Sequence, residues 1–281
     1  MIQTVSVIGA GTMGSGIAQS AALAGHSVIL YDVAQELVEQ ALAAIAASID
    51  KGVSLGKTAE STASSAKNAF RLTTSLSEAA QADLVIEAAP ESIELKRKIF
   101  AQLDQAAPAH TILASNTSSL SINALAGATN RQDRFIGLHF FNPAHIMKLV
   151  ELIQAEDTSP ETAETAADFL KRLGKTAVHC QDTPAFIVNR VARPFYGEAY
   201  RLLGENAADV ATIDRLVKSA GFRMGPFELI DLIGCDVNLA VNQSVYDAYF
   251  QDPKYRPHPI QRRMVESGRL GRKTGRGFYN Y

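Results

Sequence analysis

The 281-residue sequence predicts an α/β chain. A mostly parallel sheet domain with helices on both faces spans residues 1–183, and an all-helical C-terminal domain spans 184–281. Three observations predict this. Short β-branched runs alternate with helical periods through the first two thirds of the chain, the pattern of parallel strands joined by helical crossovers. A glycine-rich turn lies between the first run and the first helix, where such sheets place their anion sites. After Thr183-Pro184 the apolar residues keep helical spacing and no strand run returns.

The elements follow in order. Thr4-Val5-Ser6-Val7-Ile8 and Ser27 to Tyr31 enclose a helix from Met13 to Ala24 that closes on Gly25. A strand, helix and strand within about 30 residues make a right-handed parallel crossover. Val33 to Ile49 reads as a second, alanine-rich helix. The alternation resumes with Asp83-Leu84-Val85-Ile86, a helix from Ser92 to Gln105, then Thr111-Ile112-Leu113 and Arg134-Phe135-Ile136-Gly137-Leu138. Lys148 to Gln154 and Thr176 to Cys180 read as strands around a helix from Pro160 to Leu173. In the second domain Phe186 to Leu203, Val210 to Ser219, Phe227 to Leu232 and Val237 to Tyr249 read as helices. Gly268 to Tyr281 is rich in Gly, Lys and Arg and reads as a loop. Ser54 to Lys67 is small and polar, and its Ser and Thr residues weaken helix propensity, so a mobile helix-turn-helix excursion is expected there rather than a core element.

Apolar residues at 47% and charged residues at 20% fit a globular chain, not a disordered one. The net charge of −2 supplies no general attraction to nucleic acid or an anionic membrane. Any anionic ligand must be held by local groups. Cys180 and Cys235 are too few for a disulfide framework or a cysteine zinc site, so no metal is expected. No apolar run approaches the ~20 residues of a membrane span. The chain enters a strand pattern at once, with no signal peptide ahead of it, and the cytoplasm is the expected location.

Gly9-Ala10-Gly11-Thr12-Met13-Gly14 has the G-x-G-x-x-G spacing, follows the first strand and opens a helix. Gly9 permits a tight turn, Gly11 lets backbone approach a pyrophosphate, and Gly14 lets helix and strand touch. Unpaired N–H groups and the helix dipole then favour the anion. Asp32, ending the next strand, would accept from both ribose hydroxyls of NAD and repel the 2′-phosphate of NADP. The first domain is therefore read as Rossmann-type, with NAD as its cofactor and NADP not excluded.

Hydride transfer from an alcohol needs a base for the hydroxyl proton and donors for the developing carbonyl oxygen. Two polar clusters sit at strand ends: Ser115-Asn116-Thr117-Ser118-Ser119 and His139-Phe140-Phe141-Asn142-Pro143. His139 is the natural base. Glu151 would be an expensive burial inside Leu149-Val150-Glu151-Leu152-Ile153 unless it served as the partner that fixes the imidazole tautomer. Spacing alone does not choose Ser118 over Ser115 or Ser119, and the serine run also suits a helix cap. His26, His110, His179 and His258 read as surface or satisfied core residues. His145 is open between lining a substrate channel and being solvated.

Taken together, the sequence resembles the short-chain L-3-hydroxyacyl-CoA dehydrogenase family, which includes the bacterial 3-hydroxybutyryl-CoA dehydrogenases. The resemblance is carried by Val7 to Gly14, Ser115 to Leu120, Arg131 to Pro143, Lys148 to Leu152, Asp182-Thr183-Pro184 with Phe186 to Arg190, and Gly268 to Tyr281. It implies His139 as general base, Glu151 as its orienting carboxylate, Ser118 as a hydroxyl touching substrate and nicotinamide, and Asn189 as an amide orienting the substrate oxygens. It also implies NAD contacts from Gly9, Ala10, Gly11, Thr12, Met13, Gly14, Asp32, Glu91, Lys96, Ser118, Asn142 and Lys273. Ser118, Lys51 and Lys57, with Lys67 nearby, would meet the acyl-CoA. The sequence departs from the family pattern in its Ala/Ser-rich excursion, in His145, and in Ala185, where glycine is usual.

The implied activity is the reversible oxidation of an L-3-hydroxyacyl-CoA, of short chain as in 3-hydroxybutyryl-CoA, to the 3-ketoacyl-CoA. A related dehydrogenase acting on 3-hydroxyadipyl-CoA or a sugar acid is the alternative. The resemblance further implies a homodimer through the C-terminal domain. With nicotinamide on the first domain and Asn189 on the second, bound substrate is expected to draw the two domains together.

Overall fold

The computed structural model describes Met1–Tyr281 as two compact units, Met1–Thr183 and Pro184–Tyr281. The first is built on eight strands: β1 (Thr4–Ile8), β2 (Ser27–Tyr31), β3 (Phe70–Thr73), β4 (Leu84–Glu87), β5 (Ile112–Ser115), β6 (Phe135–Phe140), β7 (Leu149–Gln154) and β8 (Thr176–Gln181). They lie in the order β3-β2-β1-β4-β5-β6-β7-β8. All neighbours are parallel except β6 and β7, which are antiparallel. The first six form the doubly wound order, whose direction of winding reverses between β1 and β4 and opens a crevice beyond their carboxyl ends. β4, β5 and β6 are buried along their whole length, as strands covered on both faces must be, which is why they read as nearly unbroken apolar runs.

Seven helices cover the sheet: α1 (Thr12–Leu23), α2 (Gln35–Ser54), α3 (Glu60–Lys67), α4 (Leu76–Ala79), α5 (Ile93–Ala106), α6 (Ile122–Ala126) and α7 (Pro160–Arg172). α7 illustrates the local logic. Ser159 accepts from Thr162 N as its cap, Pro160 occupies the first turn, and Ala163, Ala166, Phe169 and Leu170 form the stripe that faces the core.

One expectation is corrected here. The 54–67 excursion is a helix-turn-helix, but α3 is a packed element: Ala63 and Ala66 are 4% and 1% exposed and belong to the same apolar core as β1 and α1. Their small side chains let α3 approach closely, so a stretch that looks polar overall still buries one face. β3 and α4 were not anticipated. β3 is four residues like β4 and β5, but its Arg71 breaks the apolar run by which those two are recognised.

The second unit is all helical, with α8 (Val188–Gly204), α9 (Val210–Ser219), α10 (Pro226–Ile233), α11 (Cys235–Ala248) and α12 (Pro259–Glu266) around Tyr196, Tyr200, Ile213, Phe227, Ile230 and Met264. No helix in the chain is long and apolar enough to cross a membrane. Ala185 holds φ 67° and Phe186 φ 52°, left-handed conformations that cost a residue with a β-carbon roughly 1–2 kcal/mol. That is the conformation glycine favours, and it explains what the departure at Ala185 costs this chain.

The carboxyl-terminal segment is irregular backbone, as expected, and it is held in place by side chains of the helical core. Asp231, 1% exposed, accepts from Phe278 N and Tyr279 N at 2.9 Å and from the Tyr281 hydroxyl at 3.2 Å. Asp214, equally buried, accepts from Phe227 N, Glu228 N and the Tyr279 hydroxyl. Two buried carboxylates therefore clamp the tail. Asp231→Asn turns an acceptor into a donor facing N–H groups, and it should destabilise this unit by about 2 kcal/mol. Urea unfolding measures this, and limited proteolysis should then cut within 277–281; an unchanged midpoint would contradict the clamp.

Candidate active site

The glycine turn leaves β1 at its carboxyl end. Gly9 has φ 106°, and a β-carbon on Gly14 would sit 1.8 Å from the Gly9 carbonyl oxygen, so helix and turn touch through bare backbone. Nothing lies within 4 Å of where a β-carbon on Gly11 would be. Gly11 is also the N-cap of α1, with no side chain capping it. The first-turn N–H groups thus face open space at the positive end of a helix, as an anion site requires. Thr12 is exposed and Met13 half-buried beside them. Asp32, just after β2, accepts from Ala10 N and Val33 N, each at 2.7 Å. The turn itself orients that carboxylate, and its remaining lone pairs suit ribose hydroxyls. The residues present therefore fit a bound NAD.

Beyond β4 and β5 lies a polar network that the sequence reading caught only in part. Glu91 Oε1 accepts from the Thr117 hydroxyl at 2.5 Å, Ser118 N at 3.0 Å and the Ser119 hydroxyl at 3.3 Å, which holds the serine run in place. Lys96 is 1% exposed; its ammonium donates to Glu87 Oε1 at 2.5 Å and to Ala89 O at 3.0 Å, with Glu91 Oε2 3.4 Å away. Glu87, fully buried, also accepts from Ala89 N and the Ser115 hydroxyl, both at 2.7 Å. It went unnoticed in the sequence although the argument applied to Glu151 fits it equally: a carboxylate ending an apolar strand needs partners.

The contact between His139 and Glu151 comes from the one antiparallel step of the sheet. Because β7 runs back along β6, His139 lies directly opposite Glu151. Opposed residues present their side chains on the same face. His139 Nδ1 and Glu151 Oε2 are 2.7 Å apart, with the residues 4% and 0% exposed. Phe141 packs on the imidazole at 4.5 Å between ring centroids. Asn116, buried at the end of β5, accepts from Phe140 N at 2.9 Å and ties that strand end to the histidine strand. A carboxylate at this distance from Nδ1 fixes the tautomer and orientation of the imidazole.

The remaining candidates are spread more widely. Asn142 is exposed in the loop after β6; Lys51 lies in the last turn of α2 and Lys57 in the turn that follows, both exposed. Lys67 is committed to Asp50. Asn189, in the first turn of α8, and Lys273 belong to the second unit, where Lys273 pairs with Asp236 at 2.6 Å. His145 is exposed on the loop after β6; desolvation and the neighbouring Lys175 ammonium hold its imidazole below the usual histidine range. His258 caps α12. Burial pushes the Cys180 and Cys235 thiols up to about 12, so neither is a nucleophile near neutral pH.

Residues 4–183 match the NAD binding domain of 3-hydroxyacyl-CoA dehydrogenase, and residues 186–281 match that family's C-terminal domain. The 3-hydroxyadipyl-CoA dehydrogenase of Escherichia coli is 46% identical across the whole chain, which spans 59% of that relative's length. The 3-hydroxybutyryl-CoA dehydrogenase of Bradyrhizobium diazoefficiens is 44% identical, with 100% of this chain and 96% of the relative covered. The crystal structure of (S)-3-hydroxybutyryl-CoA dehydrogenase from Ralstonia eutropha superposes with a TM-score of 0.96 at 44% identity, over 100% of this chain and 99% of that one. A Rossmann-type sheet with its NAD turn, a helical second unit and matches along the whole length agree: this chain belongs to the 3-hydroxyacyl-CoA dehydrogenase family.

Proposed function

We propose that the chain interconverts L-3-hydroxyacyl-CoA and 3-ketoacyl-CoA, with His139 as general acid and base and a short acyl chain as substrate. The observation that carries this is the buried 2.7 Å contact between His139 and Glu151 at the carboxyl edge of an NAD-binding sheet. In the oxidising direction His139 Nε2 takes the hydroxyl proton, and the Glu151 carboxylate steadies the imidazolium that forms. When bound, NAD would supply the hydride acceptor for the carbon that bears this hydroxyl. Ser118 and Asn189 orient the hydroxyl and thioester oxygens, and in reverse His139 returns the proton to the ketone oxygen. Gly9 to Gly14 and Asp32 hold the dinucleotide, with Glu91, Lys96, Asn142 and Lys273 contributing as the family resemblance implies. Lys51 and Lys57, exposed beside α2, meet the coenzyme A phosphates. The names of the 44%-identical relatives support the short chain. Dimerisation through the second unit belongs to the same reading; the exposed apolar Val191 and Phe222 suit such a contact.

A second reading is an acyl group bearing a distal carboxylate, suggested by the 46%-identical relative. Acetoacetyl-CoA with NADH, followed by NADH absorbance, tests the activity directly. A kcat/KM series over 3-hydroxyacyl-CoA length, including 3-hydroxyadipyl-CoA and run with both nicotinamides, then separates the two substrates. No turnover of any acyl-CoA would overturn the proposal.

A further inference from the structure

The connection Phe141–Lys148 carries Asn142 and joins the strand of His139 to the strand of Glu151. It is held from two sides. Towards α1, a β-carbon on Gly16 would lie 3.0 Å from the Ala144 methyl and 3.4 Å from His145 N, and Ala144 is only 1% exposed. The loop therefore rests on the helix that begins at the phosphate turn. On the other side Lys175, just ahead of β8, donates from Nζ to Ala144 O at 2.6 Å and to Met147 O at 2.9 Å. Pro143 O accepts from both Ile146 N and Met147 N at 2.9 Å, so the segment is a tight turn with two of its carbonyls ending on one ammonium.

Lys175 makes no ion pair with an acid, and desolvation alone lowers its amine below the usual lysine range. An ordinary surface lysine keeps its head in water. This one has given up part of its hydration to bind backbone. Its partners are carbonyls of a single turn, so what it fixes is the shape of that turn, whatever side chains the turn carries, including the unusual His145.

We propose that Lys175 is a positioning residue for the reaction: it pins the 141–148 turn against α1 and thereby sets Asn142 and the acid–base pair relative to the cofactor turn. The inference rests on the functional reading above. Displacing the turn would alter alignment between base, cofactor ring and reacting carbon, and misplacement by about 1 Å is enough to slow a reaction ~10²-fold. It leaves the residues assigned to the coenzyme A arm untouched, so the loss belongs in kcat.

Lys175→Met tests this, assayed where circular dichroism shows variant and wild type equally folded. The expected result is a kcat lower by about ten- to a hundredfold with KM for acetoacetyl-CoA changed less than about threefold. The primary isotope effect from NADH deuterated at the transferred position should increase, because the hydride step becomes limiting. Amide hydrogen exchange should accelerate at Ile146 and Met147 and nowhere else. Lys175→Arg, whose guanidinium spans two carbonyls, should restore most of the protection and rate. Wild-type kcat and exchange in Lys175→Met would overturn the proposal, as would a loss of protection spread over the whole chain. Should the wild type turn over no acyl-CoA, the functional reading fails instead, and the exchange result still reports whether Lys175 holds the turn.

Discussion

His139→Gln is expected to lower kcat by about 10²–10⁴ while leaving NADH affinity within about twofold. Glutamine keeps a donor for the Glu151 carboxylate, so the fully buried acid is not stripped of that contact. It cannot accept the substrate proton and hold it as a cation. Glu151→Gln should cost a comparable factor for a different reason. An amide can present its carbonyl or its N–H₂ to Nδ1, so the tautomer is no longer enforced, and the imidazolium loses its countercharge. Because the two act as one device, the double variant should be scarcely slower than His139→Gln alone. Steady-state kinetics on the three variants, with NADH affinity read from its fluorescence, checks this. Additive losses, or turnover of wild-type size in His139→Gln, would mean the base lies elsewhere.

The part of this pair that could be read from sequence was the two residues and their expected contact, not the strand direction that brings them together. A histidine at a strand end and a glutamate inside an apolar run are visible in one dimension. Their apposition depends on β7 being antiparallel, which residue patterning does not announce. The length of the connection does: Phe141–Lys148 is shorter than the dozen or so residues a parallel crossover needs. β1 and β2 were legible because β-branched runs flank a glycine turn of fixed spacing, whereas in β3 a charged Arg71 breaks the apolar run that marks the equally short β4 and β5. α3 was misread because burial there falls on two alanines, Ala63 and Ala66, rather than on large apolar residues. The tail is irregular backbone, as its composition suggests, but its order comes from Asp231 and Asp214, carboxylates on distant helices, and nothing within 268–281 signals them.

Breaking the Glu87–Lys96 pair is expected to produce the largest loss of stability. Both side chains are at most 1% exposed, so neither charge reaches water. Lys96→Met leaves Glu87 with only the neutral donors Ala89 N and the Ser115 hydroxyl; Glu87→Gln leaves an ammonium facing Ala89 O and, at 3.4 Å, Glu91. Lys96→Met should cost about 3–5 kcal/mol, because an unpaired buried charge keeps its desolvation penalty without the attraction that offset it, and Glu87→Gln should cost less because Glu91 still faces the ammonium. The double variant should regain most of that, since a neutral pair carries no such penalty. Stability alone therefore does not explain why the chain keeps the pair. Its hydrogen bonds join the ends of β4 and β5 to α5, and Glu91, beside the same ammonium, anchors Thr117, Ser118 and Ser119. The double variant should accordingly fold well yet lose about tenfold in kcat/KM as Ser118 loses its fixed position. Urea unfolding of the two single variants and the double, with kcat/KM on each, separates the two roles. Lys96→Met within about 1 kcal/mol of wild type would show that the charges are not confined as the structure implies, and full activity in the double would remove the link from ion pair to serine loop.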